Sequence, residues 1–154
     1  MFQGKLLGIF ITPHKAESLQ PVTEADAVPG QGLSGDRYFR KEGTYSAKSG
    51  PDREVTLIEQ EALDGLRREY DLTLEPSQSR RNLLTEGVPL NHLVGKEFTV
   101  GDVVLRGIRL CEPCAHLEKL TSAGVHKGLI HRGGLRAQVV KGGTLKLGDR
   151  IAPS

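Results

Sequence analysis

A mainly β fold, in the form of a closed or partly closed antiparallel β-barrel with one principal helix and long glycine-rich loops, is what the 154-residue sequence predicts. Three observations carry this. Seven or eight short runs rich in Val, Ile, Leu and Phe are separated by turn residues. Nineteen residues are glycine, well above the usual share of about 7%, so turns and special backbone positions are frequent. Only one stretch carries a helical period. So many short strands expose many edges, and closure of the sheet is the direct way to remove them, with a two-sheet sandwich as the alternative. The length fits one domain spanning residues 1–154.

The elements follow in order. Gly4 to Pro13 reads as the first strand, apolar through Leu6, Leu7, Ile9, Phe10 and Ile11 and stopped by a proline that cannot donate to a ladder. Pro29 to Asp52 holds five glycines and two prolines and reads as a long irregular excursion, a length that is usually functional or mobile. Arg53 to Ile58 is a strand. From Glu59 to Tyr70, Ala62, Leu66 and Tyr70 recur every four residues beside Leu63, which predicts a helix packed on a sheet. Arg81 to Thr85 is a short strand, Val88 to Val94 a turn or single helical turn, and Lys96 to Val100 a strand joined through Gly101-Asp102 to Val103–Leu110 as a hairpin. Leu135 to Val140 is a further strand. Thr144 to Ile151 repeats the apolar, Gly-Asp, apolar form and predicts a second turn of similar local geometry.

Composition excludes several function classes. Twenty-one basic residues against nineteen acidic ones give a net charge of +2, too weak an excess to require nucleic acid, and the few aromatics are not interleaved with basic residues as stacking on single strands demands. The longest apolar stretch, Leu6 to Ile11, is far too short to cross a bilayer, so no membrane association is expected. The first residues lack the pattern of a secretory signal, which makes a cytoplasmic location the expectation.

Chemistry concentrates around Cys111-Glu112-Pro113-Cys114. A thiol of ordinary pKa, about 8.5, is mostly protonated at neutral pH, and nearby cations convert it to a nucleophile or metal ligand. Arg109, His116 and Lys119 are the cations closest in sequence. A strand ending at Leu110 and a turn opened by Pro113 would deliver Cys114 to the barrel rim. Burial of both cysteines as small apolar residues is the plain alternative. Cys111, Cys114, His126 and His131 form C-x2-C-x11-H-x4-H, near a zinc-finger spacing, but no aromatic fills the intervening core and Gly124 and Gly128 interrupt the helix. A thioredoxin-like pair is disfavoured because no strand–helix–strand framework sets this C-x-x-C at a helix start. The glycine-rich run Gly30 to Arg37 lacks the surroundings of a nucleotide loop, yet its amides with Arg37, Arg53, Arg80 and Arg81 suit an oxyanion. Asp36, Asp52 and Glu112 are placed to hold such arginines or to act as acid/base groups. Asn82 opens an apolar strand, where it binds backbone or ligand. Gly133-Gly134 and Gly142-Gly143 read as hairpin or bulge geometry.

Taken in order, Gly35-Asp36-Arg37, Gly50-Pro51-Asp52-Arg53 before Val55 to Ile58, Arg81-Asn82-Leu83, Val100 to Val103, Cys111 to Cys114, Arg136 to Val140 and Gly148-Asp149 resemble the MOSC domain, the C-terminal domain of molybdenum cofactor sulfurases. The resemblance implies a β-barrel that binds a pyranopterin molybdenum cofactor. It implies for Cys114 the family cysteine, either a sulfur carrier through a persulfide or a thiolate ligand to molybdenum, with Cys111 as assistant, resolving thiol or bystander. For Asp36, Arg37, Asp52, Arg53, Arg81 and Asn82 it implies a cofactor-proximal position. The activity implied is sulfur transfer or molybdenum-dependent reduction of N-hydroxylated compounds, served by a cysteine desulfurase or an electron-transfer protein. No pyridoxal phosphate is expected in a domain of this kind. A noncatalytic anion- or cofactor-binding module is the alternative, and a structural zinc domain a lesser one.

Overall fold

The computed structural model describes residues 1–14, 17–39, 50 and 53–154. Its strands are β1 (Gly4–Ile11), β2 (Gln20–Val22), β3 (Glu24–Val28), β4 (Gly32–Leu33), β5 (Val55–Glu59), β6 (Leu83–Glu86), β7 (Glu97–Val100), β8 (Val103–Leu110), β9 (Leu135–Lys141), β10 (Gly143–Lys146) and β11 (Arg150–Pro153). The helices are α1 (Gln60–Tyr70), α2 (Ala115–Leu120) and α3 (Val125–Gly128), with 3₁₀ turns at Pro76–Ser79 and Leu90–Leu93.

The sheet order β11-β7-β8-β9-β5-β6-β1 closes through a β1–β11 pairing, giving a seven-stranded barrel with β2 appended to β1. Closure is possible because β1 divides one edge. Gly4 and Lys5 pair with Ile151 and Arg150 of β11, while Ile9 to Ile11 pair with β2. Its other edge takes β6, with a register shift between Leu6 and Gly8. A separate three-stranded sheet, β10-β3-β4, lies beside the barrel.

The predicted barrel is therefore observed, with two local differences. β5 and β6 run parallel, joined by α1 as a strand–helix–strand unit, within an otherwise antiparallel barrel. The hairpin at Gly101-Asp102 forms as predicted, with Val100 opposite Val103. The similar Gly148-Asp149 turn instead separates two sheets, since β10 pairs with β3 and β11 with β7 and β1. A turn sequence sets local direction, and the longer ladders available to each strand elsewhere decide its partner.

Strand periodicity sorts side chains to two faces. Val55 and Leu57 point into the barrel with Leu6, Ile9, Leu83, Phe98, Leu105, Leu135 and Ile151, all buried. Ile58 and Leu84 point outward and meet Ala62, Leu63 and Leu66 of α1, joined by Leu117, Val125 and Leu129. The barrel is thus filled by side chains, and the helices cover its outer surface over β5 and β6. The predicted helix is present, although Tyr70 at its end is 40% exposed. Asp71 ends it in the left-handed region, φ 53°, its N–H donating to the Arg67 carbonyl. Among the described residues no helix is long and apolar enough to cross a membrane.

Candidate functional site

One wall of the site grows from the turn after β4. Gly35 takes φ +88°, a conformation that glycine adopts without strain, and turns the chain so that Asp36 and Arg37 fold inward. Both are buried, and Arg37 Nη1 lies 3.2 Å from Asp36 Oδ1. The same carboxylate accepts from the Thr12 and Tyr38 amides, at 3.2 and 3.4 Å. Arg37 Nη2 donates to the Arg80 carbonyl at 3.2 Å, and its guanidinium lies 4.5 Å from the centre of the Tyr38 ring. Asp36 thereby braces Arg37 from behind.

A second wall is the entry to β6. Arg80 is left-handed at φ 62°, directing consecutive side chains to different sides. Arg81 donates from Nε to the Gly133 carbonyl at 2.8 Å, from Nη1 to Ser79 at 3.2 Å and from Nη2 to Cys111 at 3.0 Å. Asn82, fully buried, turns away. Its Oδ1 accepts from the amide and hydroxyl of Thr56 at 3.0 and 3.1 Å, and its Nδ2 donates to the Phe10 carbonyl at 3.1 Å. This amide splices β5 to β1.

The third wall is the cysteine segment. β8 ends at Leu110, and the chain runs without regular structure to Cys114, the residue that starts α2. The sequence expectation that no helix start falls at this cysteine is therefore corrected. Glycines 124 and 128 do not prevent short helices from forming on either side. Cys111 is sealed, 2% exposed, with its N–H on the Gly134 carbonyl at 2.7 Å. This approach needs glycine opposite it. A Cβ at Gly133 would fall 2.6 Å from the Cys111 carbonyl oxygen, and one at Gly134, φ +121°, would fall 2.0 Å from that of Leu57.

These walls enclose a cavity of about 330 Å³. Among the described residues its lining holds Arg37, Arg53, Arg80, Arg81, Arg109 and Arg136 against one carboxylate, Glu112, together with Tyr38, Cys114, His116 and Leu117. Arg109 and Arg136 are direct cross-strand neighbours of the β8–β9 ladder, and like charges so opposed disfavour the ladder. Burial, then the nearby positive charge of Arg37, pushes the Arg80 pKa down to about 10. Such a concentration of desolvated positive charge favours any anion that enters.

Of the predicted site residues, Arg37, Arg53, Arg81 and Cys114 meet in this cavity, as do Arg80, Arg109 and His116 named with them. Asp36, Asn82 and Cys111 are adjacent but turned into the protein. Asp52 lies outside the described residues. Glu112 reaches the lining, and the amide and Nδ1 of His131 lie 2.7 and 2.9 Å from its two oxygens. Tyr38 and Arg136 escaped the sequence reading. Arg136 had a signal, a lone cation in the apolar run from Leu135 to Val140, where a buried charge calls for a partner. The zinc spacing does not assemble, because Cys111 is sealed while His126 and His131 are exposed. Among the described residues no three His, Cys, Asp or Glu side chains are grouped to hold a metal ion.

The profile of the MOSC domain matches residues 44–152, well over half of the sequence. The chain belongs to the MOSC domain family. Solved structures agree on the fold. The YuaD protein from Bacillus subtilis superposes with a TM-score of 0.83 at 17% identity, over 98% of this chain and 97% of that one. YiiM from Geobacillus stearothermophilus gives 0.72 at 13% identity, covering 98% and 75% of the two chains. YiiM from Escherichia coli gives 0.69 at 19% identity, covering 97% and 69%. No protein of curated function matches the sequence. The MOSC family is associated with the molybdenum cofactor, and the cavity suits such a group in two respects: its excess of guanidinium donors matches an anion, and it presents a soft sulfur ligand beside them.

Proposed function

We propose that this MOSC domain binds an anionic, pyranopterin-type molybdenum cofactor in the arginine-lined cavity, with the Cys114 thiolate as the protein ligand to the metal. The observation that carries the reading is the meeting of six arginines and one half-buried cysteine on a single cavity. A volume of about 330 Å³ is within the range of small-molecule sites, roughly 300–1,000 Å³.

When bound, the cofactor supplies the redox chemistry for reduction of N-hydroxylated compounds. The chain's residues bind and orient. Arg37, Arg53, Arg109 and Arg136 offset negative charge from two sides of the cavity, and Arg37 keeps its direction through Asp36. Arg80, its charge disfavoured by burial and by Arg37, is stabilised by an anion beside it. Leu117 and the Tyr38 ring exclude water from part of the wall.

A sulfur-carrier role is the second reading, favoured by the contrast between a sealed Cys111 and a half-buried Cys114. With no second exposed thiol beside it, bound sulfur is protected from loss through an internal disulfide. In that step the Cys114 thiolate attacks the outer sulfur of a donor persulfide. A sulfur–sulfur bond forms at Cys114 as the donor's breaks, and the donor cysteine leaves as thiolate.

Reconstitution with supplied cofactor, followed by metal and pterin analysis, tests the lead reading. Wild type and Cys111→Ser should retain molybdenum and pterin in equal amounts, and Cys114→Ser should lose the metal. A wild-type chain that retains neither would refute it. Incubation with a cysteine desulfurase and cysteine, read by peptide mass spectrometry, would then identify a carrier by one added sulfur on the Cys114 peptide. Absence of both leaves an anion-binding module.

A further inference from the structure

The resemblance to the family groups Arg81 with the residues that face the cofactor, but its hydrogen bonds lead elsewhere. Its three nitrogens donate to three carbonyls in three separate segments: Ser79 before β6, Cys111 in the cysteine segment and Gly133 before β9. Arg81 as a whole is 8% exposed. Two of these carbonyls flank a close approach of two segments, with the Cys111 N–H on Gly134 and the Gly133 Cα too near the Cys111 carbonyl to carry a side chain. The segment from Cys111 to Cys114 has no regular secondary structure to fix it. It is held at its first residue by one amide on Gly134 and one carbonyl on Arg81.

We infer that Arg81 is a positioning residue. It acts as a three-way bracket that fixes the cysteine turn, seals Cys111 inside and sets the direction in which Cys114 meets the cavity. Only arginine satisfies this geometry. Carbonyls in three directions need a planar fork with separated donors, and a lysine ammonium is a single point on a flexible stem. Removal of the fork leaves three buried carbonyls, those of Ser79, Cys111 and Gly133, short of a charged donor, and the turn then opens to let water reach them. The neighbouring Asn82 has no part in this, since its side chain serves Thr56 and Phe10. The importance of the bracket for activity rests on the reading of Cys114 as the working thiol, whereas the bracket itself is testable without any cofactor.

The test is the rate of iodoacetamide labelling at each cysteine, resolved by peptide mass spectrometry on the cofactor-free protein, with the urea midpoint measured in parallel. Wild type should label at Cys114 and be protected at Cys111. Arg81→Lys should keep the charge yet lower the Cys114-to-Cys111 rate ratio by about tenfold or more, the scale of one lost charged hydrogen bond. In Arg81→Ala the same loss should be reversed by added N-ethylguanidine. A purely structural defect would not respond to a small guanidinium in this way. An unchanged ratio in Arg81→Lys, or a folded Arg81→Ala whose altered ratio is indifferent to N-ethylguanidine, would overturn the inference. If Arg81→Ala does not fold, Arg81→Lys decides alone. Failure of wild type to retain molybdenum in the reconstitution above would count against the cofactor reading and leave these labelling ratios as they stand.

Discussion

The barrel interior and the arginine cavity lie on opposite sides of the same strands, and they are built by opposite rules. Leu57, Leu83, Leu105 and Leu135 fill the interior without a polar group among them. Outside it, the end of β8, the start of β9 and the residues ahead of β6 contribute guanidiniums to one cavity lining. A filled barrel leaves no room inside for a ligand, and the cavity forms where strand ends, the Asp36–Arg37 turn and α2 meet beyond the apolar core. Stability is concentrated in one region and electrostatic strain in the other.

The largest effect that would break this division is in the interior. Phe98→Ala, at a fully buried position, should cost about 3–5 kcal/mol in urea unfolding. A loss below about 1 kcal/mol would mean that the interior is not packed as described. Next is the brace behind the cavity. Asp36→Asn leaves the buried Arg37 without its carboxylate and should cost about 1–3 kcal/mol, partly recovered on addition of sulfate. Lack of any recovery would separate Arg37 from the anion site.

The third measurement sharpens the electrostatic half. The melting temperature of wild type should rise when sulfate replaces chloride at equal ionic strength, because an anion bound only to the folded state stabilises it by mass action, about 2.7 kcal/mol at a hundred times its Kd. Arg109→Gln, at an exposed position opposite Arg136, should reduce that rise without lowering stability in chloride. Equal sulfate responses in variant and wild type would move the anion away from the β8–β9 ladder.

The smallest effect concerns Glu54, buried with Oε1 accepting from the Val139 amide at 2.9 Å. Desolvation by burial raises its pKa above the usual 4.5, only partly opposed by backbone hydrogen bonds from Val139 and Gly30. The folded chain therefore holds this proton more tightly than the unfolded chain. The resulting stabilisation is complete below the unfolded value and is lost as pH rises through the folded one. Glu54→Gln keeps an acceptor for Val139 and should gain on wild type between pH 4 and 7 by about 1 kcal/mol or less in urea titrations. A constant difference across that range would show that the carboxyl is not desolvated enough to matter.

Much of this molecule was legible in the residues themselves. Local signals placed β1, β5, α1 and the β7–β8 hairpin, because an apolar period or a two-residue turn is a property of neighbours in sequence. Strands β2, β3 and β4 gave no such signal, being short and in part polar, and they exist through pairing of β2 with β1, β3 with β10 and β4 with β3. Helices α2 and α3 were hidden by Pro113 and the glycines around them. Their burial of Leu117, Val125 and Leu129 against α1 offsets a poor helical sequence.

The same division holds for the site. Sequence alone determined that Cys114 follows a proline-opened turn and that arginines recur beside glycine-rich loops, since those are facts of order along the chain. Only the tertiary structure decided that Arg37, Arg80 and Arg136, about a hundred residues from first to last, face one cavity. It also decided that adjacent residues part company, Arg81 toward the cysteine turn and Asn82 toward the barrel seam. The physical reason is local: both residues lie ahead of β6, directly after the left-handed turn at Arg80, φ 62°. What each side chain meets is set by barrel closure, which brings together segments that no local pattern connects.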